Sequence, residues 1–517
     1  MTPPRPAGLF MLVCAGILLA AAAAMFAAGP QPITGLTHAP LLARAYDLVY
    51  DADFAGAEAE LQRACGPAPA QACGVIGVAA QWWRIYLDID NRSLDEVFKA
   101  RLTTVIAAGE QWAAREPERA EAWFYLGAAY GVRVQYHGQR FEFLAAARDG
   151  KRIKHALEKA LALDPALDDA NAGLGLYQYY ADVAPSVLKV LRWFLGLPGG
   201  DRVKGLAQLR RARERGVLLK AEAAYQLHFV DLWYENKTGE ALEILADLRA
   251  RYPRNPVFLL NTAQVHEVYR SDRAAALAVY RSLIEGARGG SLREPLLAET
   301  WGRLGAAAQL IPLAEPDRAV DELHAVIARR PAVPYGAVAQ AQLDLGRALD
   351  QVGARDQAVA AYRAALAAAP AGDPREVRLA ARQGLSRAPD RTTTEAARSS
   401  LGGWRAFERG DAAGALEALD RAVQLRPDDG VHRYRRGRVF SAAGDRARAR
   451  SDFERALQAR PLPPAPFVAG SYYELGAIFE ASADRARAVA MYDAAARAHG
   501  APAETRRLAQ HALARLR

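Results

Sequence analysis

From Gly437 to Pro461 small and large residues follow one another in an order that few folds can use. Gly437 sits on a first apolar-periodic stretch, and Gly444-Asp445 marks a turn. Ala449, Phe453 and Ala456 then occupy one face of a second stretch, and Pro461 ends the unit. Two helices packed at close range explain this order. Gly437 and Ala449 lie where the helices cross, and a large side chain at either would force them apart. Phe453 fills the space beside the crossing, and Ala456 lets the following helix approach. Pro461 lacks an amide donor and stops the helix. The order recurs 34 residues upstream as Gly403, Gly410-Asp411, Ala415, Leu419, Ala422, Pro427. It returns as Gly346, Gly353, Ala358, Tyr362, Ala365, Pro370, and as Gly476, Ala488, Tyr492, Ala495, Gly500.

A helix–turn–helix unit repeating at about 34 residues is the signature of tetratricopeptide arrays. The chain resembles the tetratricopeptide repeat superfamily, exported bacterial type. That resemblance implies an all-α fold, a right-handed superhelical solenoid of tetratricopeptide helix-turn-helix repeats. Each unit buries its apolar face on its neighbours, so no single core is needed.

The chain has 517 residues and a net charge of +9 without a block of five or more like charges. Such an excess is read as solvated helix faces, and nucleic acid is not expected as a partner. Arg5 precedes an uncharged run from Ala7 to Ala28, 22 residues long, with Ala22-x-Ala24 as a cleavage-like end. Residues 1–29 are read as a cleaved signal peptide or as a retained membrane anchor, for which about 20 apolar residues suffice. Both readings put the repeats outside the cytoplasm, in the periplasm or cell envelope. Cys65 and Cys73 flank Gly66-Pro67-Ala68-Pro69. They would pair in an oxidising compartment; the other reading is two buried thiols.

Residues 30–120 read as divergent helical repeats: a pair over 41–64, an apolar helix over 74–88 and another over 92–115. Residues 121–290 read as repeats with helical insertions. Trp123, Leu126, Gly127 and Tyr130 open one unit, with its second helix expected over Lys154–Leu163. Its Gly127-to-Pro165 interval is 38 residues against 24 in Gly437–Pro461, so an insertion around Arg133–Ala147 is expected. The next unit runs from Leu174-Gly175 to Leu206, Leu209 and Ala212, and it carries a larger aromatic insertion with Tyr177, Tyr179, Tyr180, Trp193 and Phe194. Val183–Leu197 reads as an amphipathic helix over a pocket or at a membrane surface; the alternative is core filling between lengthened helices. Residues 291–388 are repeats ending in an extra helix over 375–388. Pro389–Thr394 is expected to be a hinge. Residues 389–517 are regular repeats closed by a capping helix over Glu504–Arg517.

No H-E-x-x-H, G-x-x-x-x-G-K-[ST] or G-x-S-x-G pattern occurs, so no catalytic residue, cofactor or metal ligand is assigned. Asp168-Asp169 and Asp428-Asp429 follow prolines and precede helices, where negative charge favours the helix N-terminus. The family resemblance implies that first helices line a concave face, with ligand positions near the fifth, ninth and twelfth residues of each unit. Carried over, these are Arg347, Asp350, Trp404, Phe407, Tyr434, Arg438, Tyr473 and Glu480. Arg and aromatic side chains are frequent interface anchors. The Lys/Asn clamp with which some members grip a peptide carboxylate is missing. The expected function is a non-enzymatic scaffold of the cell envelope that binds a partner protein or peptide in the groove. The alternative is a carrier of an apolar small molecule or lipid through the aromatic insertion at 177–197.

Overall fold

The turn chemistry sets the architecture. Between the helices of a pair the chain must reverse within a few residues, which calls for one residue in the left-handed region and then a capped helix start. Gly353, Gly410 and Gly444 supply the first requirement, with φ of 79°, 88° and 79°. Asp411 and Asp445 supply the second, accepting from the Gly414 and Arg448 amides at 2.9 and 3.0 Å. Ala483 and Ser271 take the same left-handed conformation before Asp484 and Asp272. Those two aspartates cap in the same way, so the geometry also forms without glycine.

The computed structural model describes residues 33–183 and 199–516. The described residues form an all-helical solenoid of consecutive helix pairs, together with one isolated bridge between Ile33 and Arg119. Its 24 α-helices are eleven pairs, one additional helix and a terminal cap. The N-terminal segment read as a signal or anchor lies outside the described residues, as do Trp193 and Phe194. Among the described residues no helix is long and apolar enough to cross a membrane.

Packing divides the chain into two compact units. Among the described residues, one comprises those up to Val49, Phe54–Trp83 and those from Leu94 to Leu227; the other comprises Tyr50–Asp53, Arg84–Ser93 and those from His228 on. The main boundary, at Leu227–His228, falls within the 121–290 stretch that reads as one segment in the sequence.

In the first unit the opening pairs are Ala39–Tyr50 with Phe54–Ala64, and Ala70–Leu87 with Asp95–Arg115. Cys65 and Cys73 are joined by a disulfide, with Cα atoms 5.9 Å apart. The expected insertion at Arg133–Ala147 is neither a loop nor a separate element. It lengthens both helices of its pair, Ala120–Gln139 and Phe143–Leu163, to 20 and 21 residues. The second helix therefore begins eleven residues before the expected Lys154. The following pair, Ala170–Val183 and Arg202–Arg215, crosses at Gly175 and Gly205, where backbone meets backbone. Asp169 does not cap its own helix. Its carboxylate accepts from the Val217, Leu218 and Leu219 amides at 3.0, 2.9 and 2.7 Å, and so holds the start of the next pair.

In the second unit glycine meets aromatic at three of the crossings. An added Cβ would lie 2.5 Å from the Tyr362 ring at Gly346, 2.9 Å from Phe453 at Gly437 and 2.7 Å from Tyr492 at Gly476. The additional helix, Val377–Ser386, is a third helix of the Gly346 unit. Its Gly384 lies against Tyr362, and its Gly384 and Leu385 carbonyls accept from Arg355 at 2.9 and 3.0 Å. In Pro389–Thr394, the segment expected to be a hinge, the chain passes directly into a capped helix. Asp390 caps a helix that runs Arg391–Glu408, and Arg398 reaches back to the Gly353 carbonyl at 2.5 Å.

Candidate functional site

The twelfth position of a repeat is the first to be decided by geometry. Asp350 is buried; it accepts from the Tyr362 hydroxyl at 2.9 Å, and its two carboxylate oxygens accept from Arg355 at 3.0 and 2.9 Å. Glu480 accepts from the Tyr492 hydroxyl at 2.7 Å and from Arg515 at 2.9 Å. Glu267 accepts from Tyr280 at 2.9 Å in an earlier pair. An acid near the end of the first helix thus binds a tyrosine on the second helix of the same pair. Burial, followed by the neighbouring carboxylate, pushes the phenols of Tyr280, Tyr362 and Tyr492 up. Where the crossing residue lacks a hydroxyl the acid is absent too: Ser441 goes with Phe453, and Phe407 with Leu419. Asp350 and Glu480 therefore each fasten their own repeat; Asp350 is buried, while the Glu480 side chain stays partly exposed. The acid–tyrosine spacing was present in the sequence and is the signal that would have found this.

Tyr434 also leaves the groove. Its ring packs 5.8 Å from Phe453 and 5.3 Å from Phe467, and an added Cβ on Gly470 would touch its hydroxyl at 2.6 Å. The following helix approaches so closely that the fifth position becomes core. Tyr362→Phe should cost about 1.5 kcal/mol, because a hydrogen bond to a charged acceptor is lost. The denaturation midpoint checks this, and an unshifted midpoint would remove the acid–tyrosine pair as a fastening of the repeat.

The ninth positions stay accessible. Arg347 is exposed and pairs with Asp344 at 2.8 Å. Trp404 is half-buried, with its ring centroid 5.4 Å from that of Phe407. Arg438 is half-exposed, bound to Glu474 at 3.1 Å and to the Tyr434 hydroxyl at 3.1 Å. Tyr473, a fifth position like Tyr434, is only half-buried, against Tyr492 at 5.6 Å. Trp404 and Phe407 on one first helix, Arg438 on the next, and Tyr473 and Glu474 on the third thus follow one another along the unit.

Two arginines that the sequence reading passed over build the floor beside them. Arg435, one residue from Tyr434, is 3% exposed. It donates to the Ala314 carbonyl at 2.6 Å and to Ser400 Oγ at 3.1 Å, and its guanidinium lies 6.0 Å from the Trp404 ring. Burial pulls its pKa down to about 10. Arg405 binds Asp317 at 2.6 Å, together with Glu315 and Glu408. The turn at 314–317, from a pair two repeats earlier, therefore lies against the first helices that carry Trp404 and Arg438. Only tertiary packing brings these groups together.

In the first unit the inner faces of first helices are filled by their own side chains. Glu222 is buried and accepts from Tyr46 at 3.1 Å, Gln135 at 2.9 Å and Gln226 at 2.9 Å. Gln135 in turn accepts from Trp82 Nε1 at 2.8 Å. The insertion tyrosines serve packing: Tyr179 is fully buried, Tyr180 lies 5.7 Å from it, and Tyr177 lies against Gly150. Among the described residues no group of three or more His, Cys, Asp or Glu side chains is placed to hold a metal ion.

The tetratricopeptide repeat family model matches residues 339–371, the Gly346 pair. The chain is similar to a tetratricopeptide repeat protein from Parabacteroides merdae, with 17% identity over 57% of this chain and 98% of that chain and a TM-score of 0.25. It is similar to the TPR2AB domain of yeast Sti1, seen in a complex with pHSP90, with 14% identity over 57% and 98% and a TM-score of 0.22. It is also similar to the human IFIT1 dimer with PPP-AAAA, with 14% identity over 81% and 94% and a TM-score of 0.32. No curated protein matches. Residues 339–371 thus match as a tetratricopeptide repeat, and the pairs around Gly403, Gly437 and Gly476 repeat the same close-packed crossing.

Proposed function

We propose that this protein is a non-enzymatic interaction scaffold of the cell envelope that holds a partner protein or peptide against the first helices of its second unit. One observation carries the reading: Trp404 and Phe407 form a half-buried aromatic pair on a first helix, with the Arg435 guanidinium 6.0 Å from the Trp404 ring, and the half-exposed Arg438 lies on the first helix of the next pair. A rigid aromatic pair with a flanking guanidinium is the composition of an interface anchor. Arg347 is a further accessible cation of the same unit. Envelope location rests on the Ala7–Ala28 run and on the Cys65–Cys73 disulfide, which fits an oxidising compartment. The N-terminal run would either be removed on export or tether the array to the membrane.

The test is affinity capture from envelope extract with the full-length chain and with an Arg347→Glu/Trp404→Ala variant. A partner recovered by the wild type should be reduced at least tenfold in the variant, since interface anchors of this type contribute about 2 kcal/mol or more. The melting temperature should change little, because both side chains are partly exposed. Equal recovery by both chains would remove this face as the binding site.

A further inference from the structure

The lengthened pair of the first unit ends in a turn that does the opposite of what a solvated turn should do. Phe141 is 75% exposed, Phe143 63% and Leu144 46%. Their position is enforced. Phe141 has φ 61°, in the left-handed region that a bulky residue rarely enters. Arg140, just before it, is held by two hydrogen bonds of 2.8 Å to the buried Asp95. Glu142, the carboxylate within the turn, is taken up by His137 Nδ1 at 2.5 Å. The Phe141 and Phe143 rings stand edge to face at 6.0 Å, outside the packed interior. Exposed cations follow one and two turns later, at Arg148, Lys151 and Arg152.

Helix register shows what lies at the same level. The Phe143–Leu163 helix packs antiparallel to Ala170–Val183: Gly173 faces Leu157, and Gly150 faces Tyr177. Counting seven residues from Gly150 back to Phe143, and seven from Tyr177 forward, both helices advance about 10 Å. The turn is therefore level with the end of the latter helix at Val183; residues 184–198 lie outside the described residues. The chain returns at Gly200, packed against the Gln178 carbonyl. Those fifteen residues are apolar in sequence apart from Ser186, Lys189 and Arg192. An exposed aromatic tip followed by exposed basic residues has the composition of a bilayer-interface contact.

We propose that the Phe141–Phe143–Leu144 turn is a docking tip for an anionic lipid surface. It is a second site, separate from the aromatic face of the other unit. The three side chains enter the headgroup–acyl boundary, and Arg148 and Lys151 meet the lipid phosphates. The left-handed turn keeps the rings from folding back, so docking needs no rearrangement.

The experiment uses the full chain with Cys14→Ser, in which Cys65 and Cys73 remain joined. A nitroxide is placed through Phe143→Cys, and through Ser282→Cys as an exposed control. Collision rates with oxygen and with a water-soluble nickel complex are measured in buffer, with phosphatidylcholine vesicles, and with vesicles containing phosphatidylglycerol. A several-fold rise in the oxygen-to-nickel ratio at position 143, confined to the phosphatidylglycerol vesicles and absent at position 282, is the expected result. A ratio unchanged by vesicles overturns the proposal, even where the N-terminal run anchors the protein. A label immobilised in buffer alone also overturns it, and identifies the occupant as a second copy of the chain. Circular dichroism melts should be unchanged by Phe143→Cys, since its side chain contributes little to the core.

Discussion

Asp452→Ala is expected to destabilise the second unit by about 3 kcal/mol, and by up to about 5. The Asp452 side chain is 2% exposed and sits between two guanidinium groups. It accepts from Arg433 at 3.0 Å and from Arg436 at 2.7 and 2.8 Å. Its helix, Arg446–Gln458, is the second of the pair, and both arginines belong to the first, Gly430–Ala442. Removing the carboxylate leaves cations facing an interior that cannot solvate them. Arg436 keeps Asp420 at 2.7 Å and Arg433 keeps the Pro427 carbonyl at 2.9 Å, which favours the lower end of the range. Thermal and denaturant melts check this, and a loss below about 1 kcal/mol would show that solvent reaches the pair.

Gly205→Leu should be about as damaging, near 3 kcal/mol or more. A Cβ at Gly205 would lie 2.7 Å from the Gly175 carbonyl oxygen and 2.7 Å from the Tyr179 amide nitrogen. Both are main-chain atoms of a helix, so nothing can rotate aside, and the Ala170–Val183 and Arg202–Arg215 helices must separate. Gly437→Leu provides the contrast. There the obstacle at 2.9 Å is the edge of the Phe453 ring, which can tilt, and about 1–2 kcal/mol is expected. Similar losses for the two variants would mean that the Gly175–Gly205 crossing relaxes as readily as a side-chain contact. Gly205→Ala isolates the Cβ itself and should already cost a measurable part of the effect.

The two positions also differ in how they could be found. Gly437 belongs to a spacing repeated down the chain, and reading the small residue as a helix crossing leads directly to Phe453. Gly205 lies in a pair whose helices are separated by an insertion, so no copy aligns with it. Its partner is backbone, which leaves no residue-type signature. The pair beginning at Ala120 misled in a similar way. Extra residues in a repeat read as an inserted element, yet a helix extends at about 1.5 Å per residue as long as its face finds a partner. Both helices grew instead.

The candidate groove shows the same division. The ninth positions, Arg347, Trp404 and Arg438, could be placed by counting from the repeat glycine, because helix period alone sets which face they share. The twelfth positions could not be placed by counting alone. Asp350 and Glu480 are engaged by Tyr362 and Tyr492, a pairing between two helices that appears only when the spacing of both residues is considered together. Tyr434 became core because Gly470 on the following helix allows close approach.

Local chemistry in the sequence determined the helix pairs, their left-handed turns, their aspartate caps and their close crossings, since each depends on residues within one or two repeats. Tertiary structure decided which side chains remain available. Arg435 reaching the Ala314 carbonyl, Arg405 meeting Asp317, and Glu222 gathering Tyr46 and Gln135 join residues roughly 90 to 180 positions apart. The angle by which each pair rotates on the last sets those meetings, and that angle is the sum of many small packing contacts that no single repeat encodes.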